Sequence, residues 1–251
     1  MRRLPLLLVL LALAGCGGGS SSSGPDPSTA RATTAAERSA QFTVLVDAVV
    51  GGSKVETSET GTIDFSGRRA HVYKLVAGSR IPQEVVVDGP FTFTNANVEA
   101  AIEDPTVKPW TKLDTRRLSA KERESHPDEL AHVLALLHLP DGMDRTTRVG
   151  DETVAGERVT QFRGVVRPAR VVAEAPPALR RGLAQALRND YPARPFLASV
   201  WLDDADRVRR VHVSYDTAGG TKVSLDGRFS EFGAKVDTRL PPARSIADIT
   251  P

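Results

Sequence analysis

Residues 55–76, VETSETGTIDFSGRRAHVYKLV, decide the fold. Ile63 and Phe65 share one face of an extended run. Ser66-Gly67 separates it from a second run, the pattern of a hairpin. Working outward, the same punctuation recurs. Strands are predicted over 55–65, 70–76, 84–87, 91–95 and 107–113, with Gly78-Ser79, Asp88-Gly89 and a looser acidic loop between them. Phe91 and Phe93 again share a face. Short strands joined by tight turns make an antiparallel meander.

Upstream, Thr34-Ala35-Ala36-Glu37 has capping-box spacing. Phe42, Leu45, Val46, Val49 and Val50 follow at helical intervals, predicting a helix that Gly51-Gly52 ends. Downstream, a second helix is predicted over 127–139, with Pro127 in its first turn and Leu130, Val133, Leu134 and Leu137 on one side. Pro140-Asp141-Gly142 stops it. A hairpin over 144–153 and 157–166 turns at Ala155-Gly156. A third helix over 177–189 aligns Leu179, Leu183 and Leu187, and strands over 195–202, 208–215 and 221–232 finish the chain. The sum is about ten antiparallel strands and about three helices inserted between runs of meander, which excludes a doubly wound α/β fold. An α+β fold is expected, because a sheet of about ten strands twists and curls into a half-barrel wrapped around the helices. Between the two layers lies either a packed core or a cavity.

The first sixteen residues carry a different message. Arg2 and Arg3, an apolar run over 4–13, then Ala14 and Gly15 before Cys16 have the architecture of a signal peptide. The run is shorter than the roughly 20 residues a spanning helix needs. The pattern resembles the bacterial lipobox, which implies removal of 1–15 and a diacylglycerol on Cys16, the chain's one cysteine. Residues 17–36 are Gly, Ser, Pro, Thr and Ala with almost no large apolar side chain, the composition of a flexible tether. The expected organisation is a signal peptide over 1–15, a lipidated Cys16 with tether over 16–36, and a single domain over 37–251. Losing Arg2 and Arg3 lowers Lys+Arg from 33 to 31 against 31 Asp+Glu, a net charge near zero. Without a basic excess or a binding motif, a nucleic-acid partner is not expected.

No catalytic or metal chemistry is legible. His132 and His138 are six apart rather than at the i, i+4 spacing of a zinc helix, and His71, His126 and His212 stand alone. Asp203-Asp204-Ala205-Asp206 lacks the glycine and distal glutamate of a calcium loop and reads as a hairpin turn. No nucleophile elbow, phosphate loop or dinucleotide fingerprint occurs. Neither enzyme activity nor a metal or cofactor is expected. One charged cluster surrounds the third helix, Arg163, Arg167, Arg170, Arg180, Arg181, Arg188 and Arg194. Guanidinium groups bind phosphate bidentately, so Arg167, Arg170, Arg180 and Arg181 are candidate contacts for a lipid headgroup or a membrane. The same residues serve equally as a solvated helix face whose stems cover the sheet.

The lipobox, the tether, the segment Asp128-Glu129-Leu130 with Leu134 and Leu137, the run from Val149-Gly150-Asp151 to Ala155-Gly156, Trp201-Leu202-Asp203-Asp204 with Arg207-Val208, and Phe229-Ser230-Glu231-Phe232-Gly233 stand in one order. In that order the sequence resembles the actinobacterial LppX/LprA/LprF/LprG lipoproteins of the LolA-like group of envelope carriers. The resemblance implies a LolA/LprG-like half-barrel whose apolar pocket holds the acyl chains of an envelope lipid or lipoglycan and carries them within the cell envelope. It also implies palmitate or a similar acyl group at Cys16, attachment to the extracytoplasmic face of the plasma membrane, and a membrane transporter as a further partner. A monomer is expected. From faces alone, Ile63, Phe65, Phe91, Phe93, Leu130, Val133, Leu134, Leu137, Val211 and Val213 are the candidate cavity lining. They serve equally as a dry core, which would make the chain an envelope interaction or sensor module.

Overall fold

The computed structural model describes residues 24–251 apart from Arg80, Pro127 and Ala218; the side chain of Val50 is likewise not described. The expected signal peptide over 1–15, Cys16 and the first part of the tether lie outside the described residues.

The strands are β1 (Ser39–Val50), β2 (Ser53–Asp64), β3 (Arg69–Val76), β4 (Gln83–Asp88), β5 (Phe91–Thr94), β6 (Trp110–Asp114), β7 (Met143–Val154), β8 (Glu157–Val166), β9 (Phe196–Asp203), β10 (Val208–Asp216), β11 (Lys222–Ser230) and β12 (Ile246–Asp248). They form one sheet in the order β12-β6-β5-β4-β3-β2-β1-β11-β10-β9-β8-β7. Every pairing is antiparallel except β12 on β6. The sheet is curved and unclosed, with β7 and β12 as its edges. The described helices are α1 (Pro27–Ala36), α2 (Val98–Glu103), α3 (Ala120–Ser125), α4 (Ala131–His138), α5 (Pro168–Glu174) and α6 (Arg180–Asp190), with a 3-10 turn at Leu139–Gly142 after α4.

The α+β half-barrel expectation holds, with twelve strands where about ten were expected and six described helices where about three were expected. The two extra strands are β1 and the short β12. The helix expected after Thr34 is β1 instead. Its residues satisfy the period of two as well as that of 3.6, because Ala40, Phe42, Val44, Val46 and Ala48 alternate inward. Tertiary pairing decides: β1 takes β2 on one side and β11 on the other, over nearly its whole length. Gly51 and Gly52, with φ of 57° and 84°, make the two-residue hairpin turn rather than a helix stop.

The second half of the expected tether is α1. Asp26 caps it and Pro27 occupies its first turn. Ala30 and Thr34, one turn apart, are fully buried. Thr34 Oγ1 accepts the Val208 backbone N–H at 2.8 Å, and Arg31 Nε pairs with Asp141 Oδ2 at 2.6 Å. Composition hid this helix because small side chains do the burying.

The core lies between the inner face of the sheet and α4. Val44, Gly227, Val211 and Val200 stand opposite one another across β1, β11, β10 and β9. α4 settles on that row: a Cβ on Gly227 would come within 2.7 Å of Leu136 Cδ1. Leu130, Leu136, Leu137 and Leu139 are at most 1% exposed. Each fully buried side chain of this kind contributes about 1.5–3 kcal/mol.

Candidate functional site, a cavity at one end of the sheet

The strands outrun α4. α4 starts only at Ala131, after a turn in which Asp128 Oδ1 accepts the Leu130 N–H at 3.0 Å. The inner face beyond that point is faced by α6 alone, through Gly182, Gln185, Ala186 and Asn189. A cavity of about 510 Å³ opens there, lined from β1, β2, β3, β10, β11, α4 and α6. Val46 stands opposite Leu225 and Ala48 opposite Val223, so these four side chains form one aliphatic floor. Tyr215 continues the floor opposite Val223. Ala131 and Ala186 supply small apolar walls.

Above the floor lies an ionic group. Glu59 and Lys74 face each other across β2 and β3, with Nζ and Oε1 3.6 Å apart. Lys74 Nζ donates to Glu129 Oε2 at 2.6 Å, and His132 Nε2 lies 2.5 Å from Glu59 Oε2. Burial pushes the Glu59 carboxyl up, but the hydrogen bond and charge of His132 and the charge of Lys74 outweigh it and hold it below its ordinary value. Burial pulls Lys74 down, and Glu59 and Glu129 more than reverse this. Asp128 and Asp190 line the same cavity, and burial pushes both carboxyls up.

Tyr215 donates its hydroxyl to the Asp190 carbonyl, and burial, then the nearby Asp190 charge, pushes its phenol up to about 12. Tyr191 is raised well above the usual phenol value by complete burial, and Tyr73 is raised by burial and Glu84. These are the chain's three tyrosines. Absorbance at 295 nm is therefore expected to fall well short of three phenolates at pH 10.5, because Tyr191 and Tyr215 stay protonated where model phenols of pKa about 10 are mostly ionised. The phenol form is the one folding stabilises, so this contribution is intact below pH 10 and fades as pH rises through the folded value of Tyr215. A full tyrosinate signal at pH 10.5 in protein that is still folded contradicts the buried environments.

A second cavity, of about 740 Å³, adjoins the first and shares Asp128, Glu129, Gly182 and Gln185 with it. Its other walls include Val87, Leu113, Leu118 and Arg123.

The residues selected from sequence faces fall into three places. Ile63, Phe65, Leu130, Val133, Leu134, Leu137, Val211 and Val213 pack together in the core, none more than 7% exposed, and none lines either cavity. Phe91 and Phe93 stand on the convex face. Phe93 pairs with Val86, and Val86 with His71, which alternate with the inward Val85, Val87 and Val72. The Phe91 ring lies 5.1 Å from Lys112 Nζ and 5.1 Å from the Arg116 guanidinium. Alternation showed that the two rings share a face without fixing which face. Of the four arginines, Arg167 and Arg170 both bind Asp144, and Arg180 donates to the Ala175 and Ala173 carbonyls. Arg181 alone reaches a cavity wall, that of the second.

The cavity residues missed from sequence left a readable signal. Glu59 is in phase with the inward Ile63, and Lys74 with the inward Val72 and Ala70. A charge in the apolar phase of a strand marks a buried ion pair or a site. Among the described residues no three or more His, Cys, Asp or Glu converge as a metal site, and no helix is long and apolar enough to cross a membrane.

A curved, open sheet over α-helices with a cavity between the layers defines the class of fold. No family model and no curated protein matches the chain. Similar solved structures include LprF from Mycobacterium bovis, 16% identical, covering 87% of this chain and 99% of that one at a TM-score of 0.47. LppX from Mycobacterium tuberculosis is 13% identical, covering 83% and 94% at 0.46. A LolA superfamily protein from Nitrosomonas europaea is 10% identical, covering 85% and 95% at 0.29.

Proposed function

We propose that this chain is a non-enzymatic lipoprotein of the cell envelope, anchored through Cys16, that takes the acyl part of an envelope lipid into the cavity at the open end of the sheet and carries it. The observation that supports this reading is the aliphatic floor of Val46, Ala48, Val223 and Leu225, separated from α6 by open space beside an otherwise filled core. Its volume of about 510 Å³ falls within the roughly 300–1,000 Å³ of small-molecule pockets. Each methylene removed from water there gains about 0.8 kcal/mol, so about ten of them give about 8 kcal/mol before the cost of ordering the tail. The ionic group lines the same cavity beside the aliphatic floor, within reach of a headgroup.

The test is uptake. Purified protein freed of detergent is incubated with a fluorescent fatty acid, and native mass spectrometry counts bound acyl species. Val223→Trp fills the floor from a strand position that is only partly buried. It is expected to weaken uptake at least about tenfold, equal to about 1.4 kcal/mol, with the unfolding midpoint little changed. Uptake that is undiminished in Val223→Trp removes this cavity from the reading.

One observation favours a second reading. The space between the sheet and α4 is filled by the eight core side chains named above, which suits a sensor or interaction module that presents its surface to a partner. A bare polypeptide mass with no acyl uptake selects that reading over the carrier.

A further inference from the structure

The place where the chain enters the body and the mouth of the cavity lie at opposite ends of the sheet. Asp206, in the β9–β10 turn, accepts the Asp26 N–H on Oδ1 at 3.0 Å. Val208, two residues on, donates its N–H to Thr34 of α1 at 2.8 Å. Tyr215, on the cavity floor, stands seven residues further along the same strand, about 23 Å at 3.3 Å per residue. β1 repeats this: it leaves α1 at Ser39 and reaches the floor at Val46 and Ala48.

From this geometry we propose that α1 is a clasp that sets which way the cavity faces, holding the mouth away from the bilayer that bears the anchor. The inference rests on the anchored-lipoprotein reading above. Nine residues, 17–25, separate Cys16 from Asp26 and reach at most about 35 Å. With α1 clasped, turning the mouth onto the anchor's own bilayer uses about two thirds of that reach simply to pass the 23 Å body. With α1 released, 21 residues, 17–37, become available, and the limit rises to about 75 Å.

The clasp is built to release. α1 buries only Ala30 and Thr34, two small side chains, and its other ties are polar: Arg31 to Asp141 at 2.6 Å and Arg207 to Glu37 at 3.2 Å. A ten-residue helix without tertiary support is marginal in water, so once detached it becomes linker.

The experiment uses the protein processed by its own cells and reconstituted in vesicles that carry a lipid-linked energy acceptor. A fluorescent amino acid replaces either Asp204, at the anchored end, or Ser53, at the mouth end; both are exposed. Energy transfer from position 204 is expected to exceed that from 53 about twofold or more, given the ~23 Å offset. In Arg31→Glu/Thr34→Val the difference is expected to collapse, while hydrogen exchange of the 28–37 amides accelerates. Equal transfer from the two positions, or stronger transfer from 53, in the unsubstituted protein overturns the inference alone. A difference that survives fast exchange in the variant overturns the clasp as its cause. Protein that does not float with the vesicles overturns this inference together with the anchor reading.

Discussion

Gly61→Ala is expected to lower the free energy of unfolding by about 3 kcal/mol, the upper end of what overpacking costs. A Cβ on Gly61 would fall 2.1 Å from the His71 carbonyl oxygen and 2.9 Å from Val72 Cα. Both are backbone atoms of β3, so no rotamer change relieves the clash. The two strands must part. Gly61 also stands opposite Phe42 on β1 and Val72 on β3, both buried, so separation opens the row on which the core rests. Gly150→Ala is the matched control, since it too lies within a strand but a Cβ there meets nothing within 4 Å. Its expected change is within about 0.5 kcal/mol. Urea unfolding of the two variants decides, and a Gly61→Ala protein as stable as Gly150→Ala contradicts the close approach of β2 and β3.

Much of the architecture was legible because the meander is written in local rules. Ser66-Gly67, Asp88-Gly89 and Ala155-Gly156 all turn where the sequence places them, and Gly67, Gly89, Ala155 and Gly156 take positive φ. Much of what failed depends on pairing and packing that no single segment announces. β1 carries both periods, and only its two neighbours in the sheet choose between them. β12 has three residues and exists by pairing with β6, more than 130 positions earlier. α5 covers the 3-10 turn after α4, and nothing in Pro168–Glu174 announces that contact.

The site divides in the same way. Leucines of 127–139 point where periodicity says they do, into the sheet, yet this fills the space that a ligand would need there. The cavity arises instead from a mismatch of lengths: β1, β2, β3, β10 and β11 extend past the first turn of α4. Lengths of packed elements are set by boundaries, the least certain part of any reading from one sequence. The inward charges of Glu59 and Lys74 were the sequence's one local trace of that end.

That pair supports the second large effect. Lys74→Met is expected to cost about 3 kcal/mol at pH 7, the lower end for a broken buried ion pair, because Glu59 is then left with His132 as its one cationic partner. The side chains of Lys74 and Glu59 are 15% and 12% exposed, so water screens neither well. Methionine keeps the length and apolar stem of lysine, which confines the change to the charge. The pH dependence separates this from lost packing. In the unsubstituted protein the Glu59 carboxyl is held below its ordinary value, so its contribution is present above about pH 4.5 and is lost as pH falls through the lower folded value. Without Lys74 the burial that pushes this carboxyl up faces only His132, and Glu59 takes up a proton at higher pH. The deficit of Lys74→Met is therefore expected to shrink as pH falls from 7 toward 4.5. Lys74→Met/Glu59→Gln, which removes both charges, is expected to recover most of the loss at pH 7. Unfolding free energies of the single and double variants at the two pH values test this. A deficit that stays constant with pH and is not relieved in the double variant assigns Lys74 to packing and takes the ionic group out of the cavity's design.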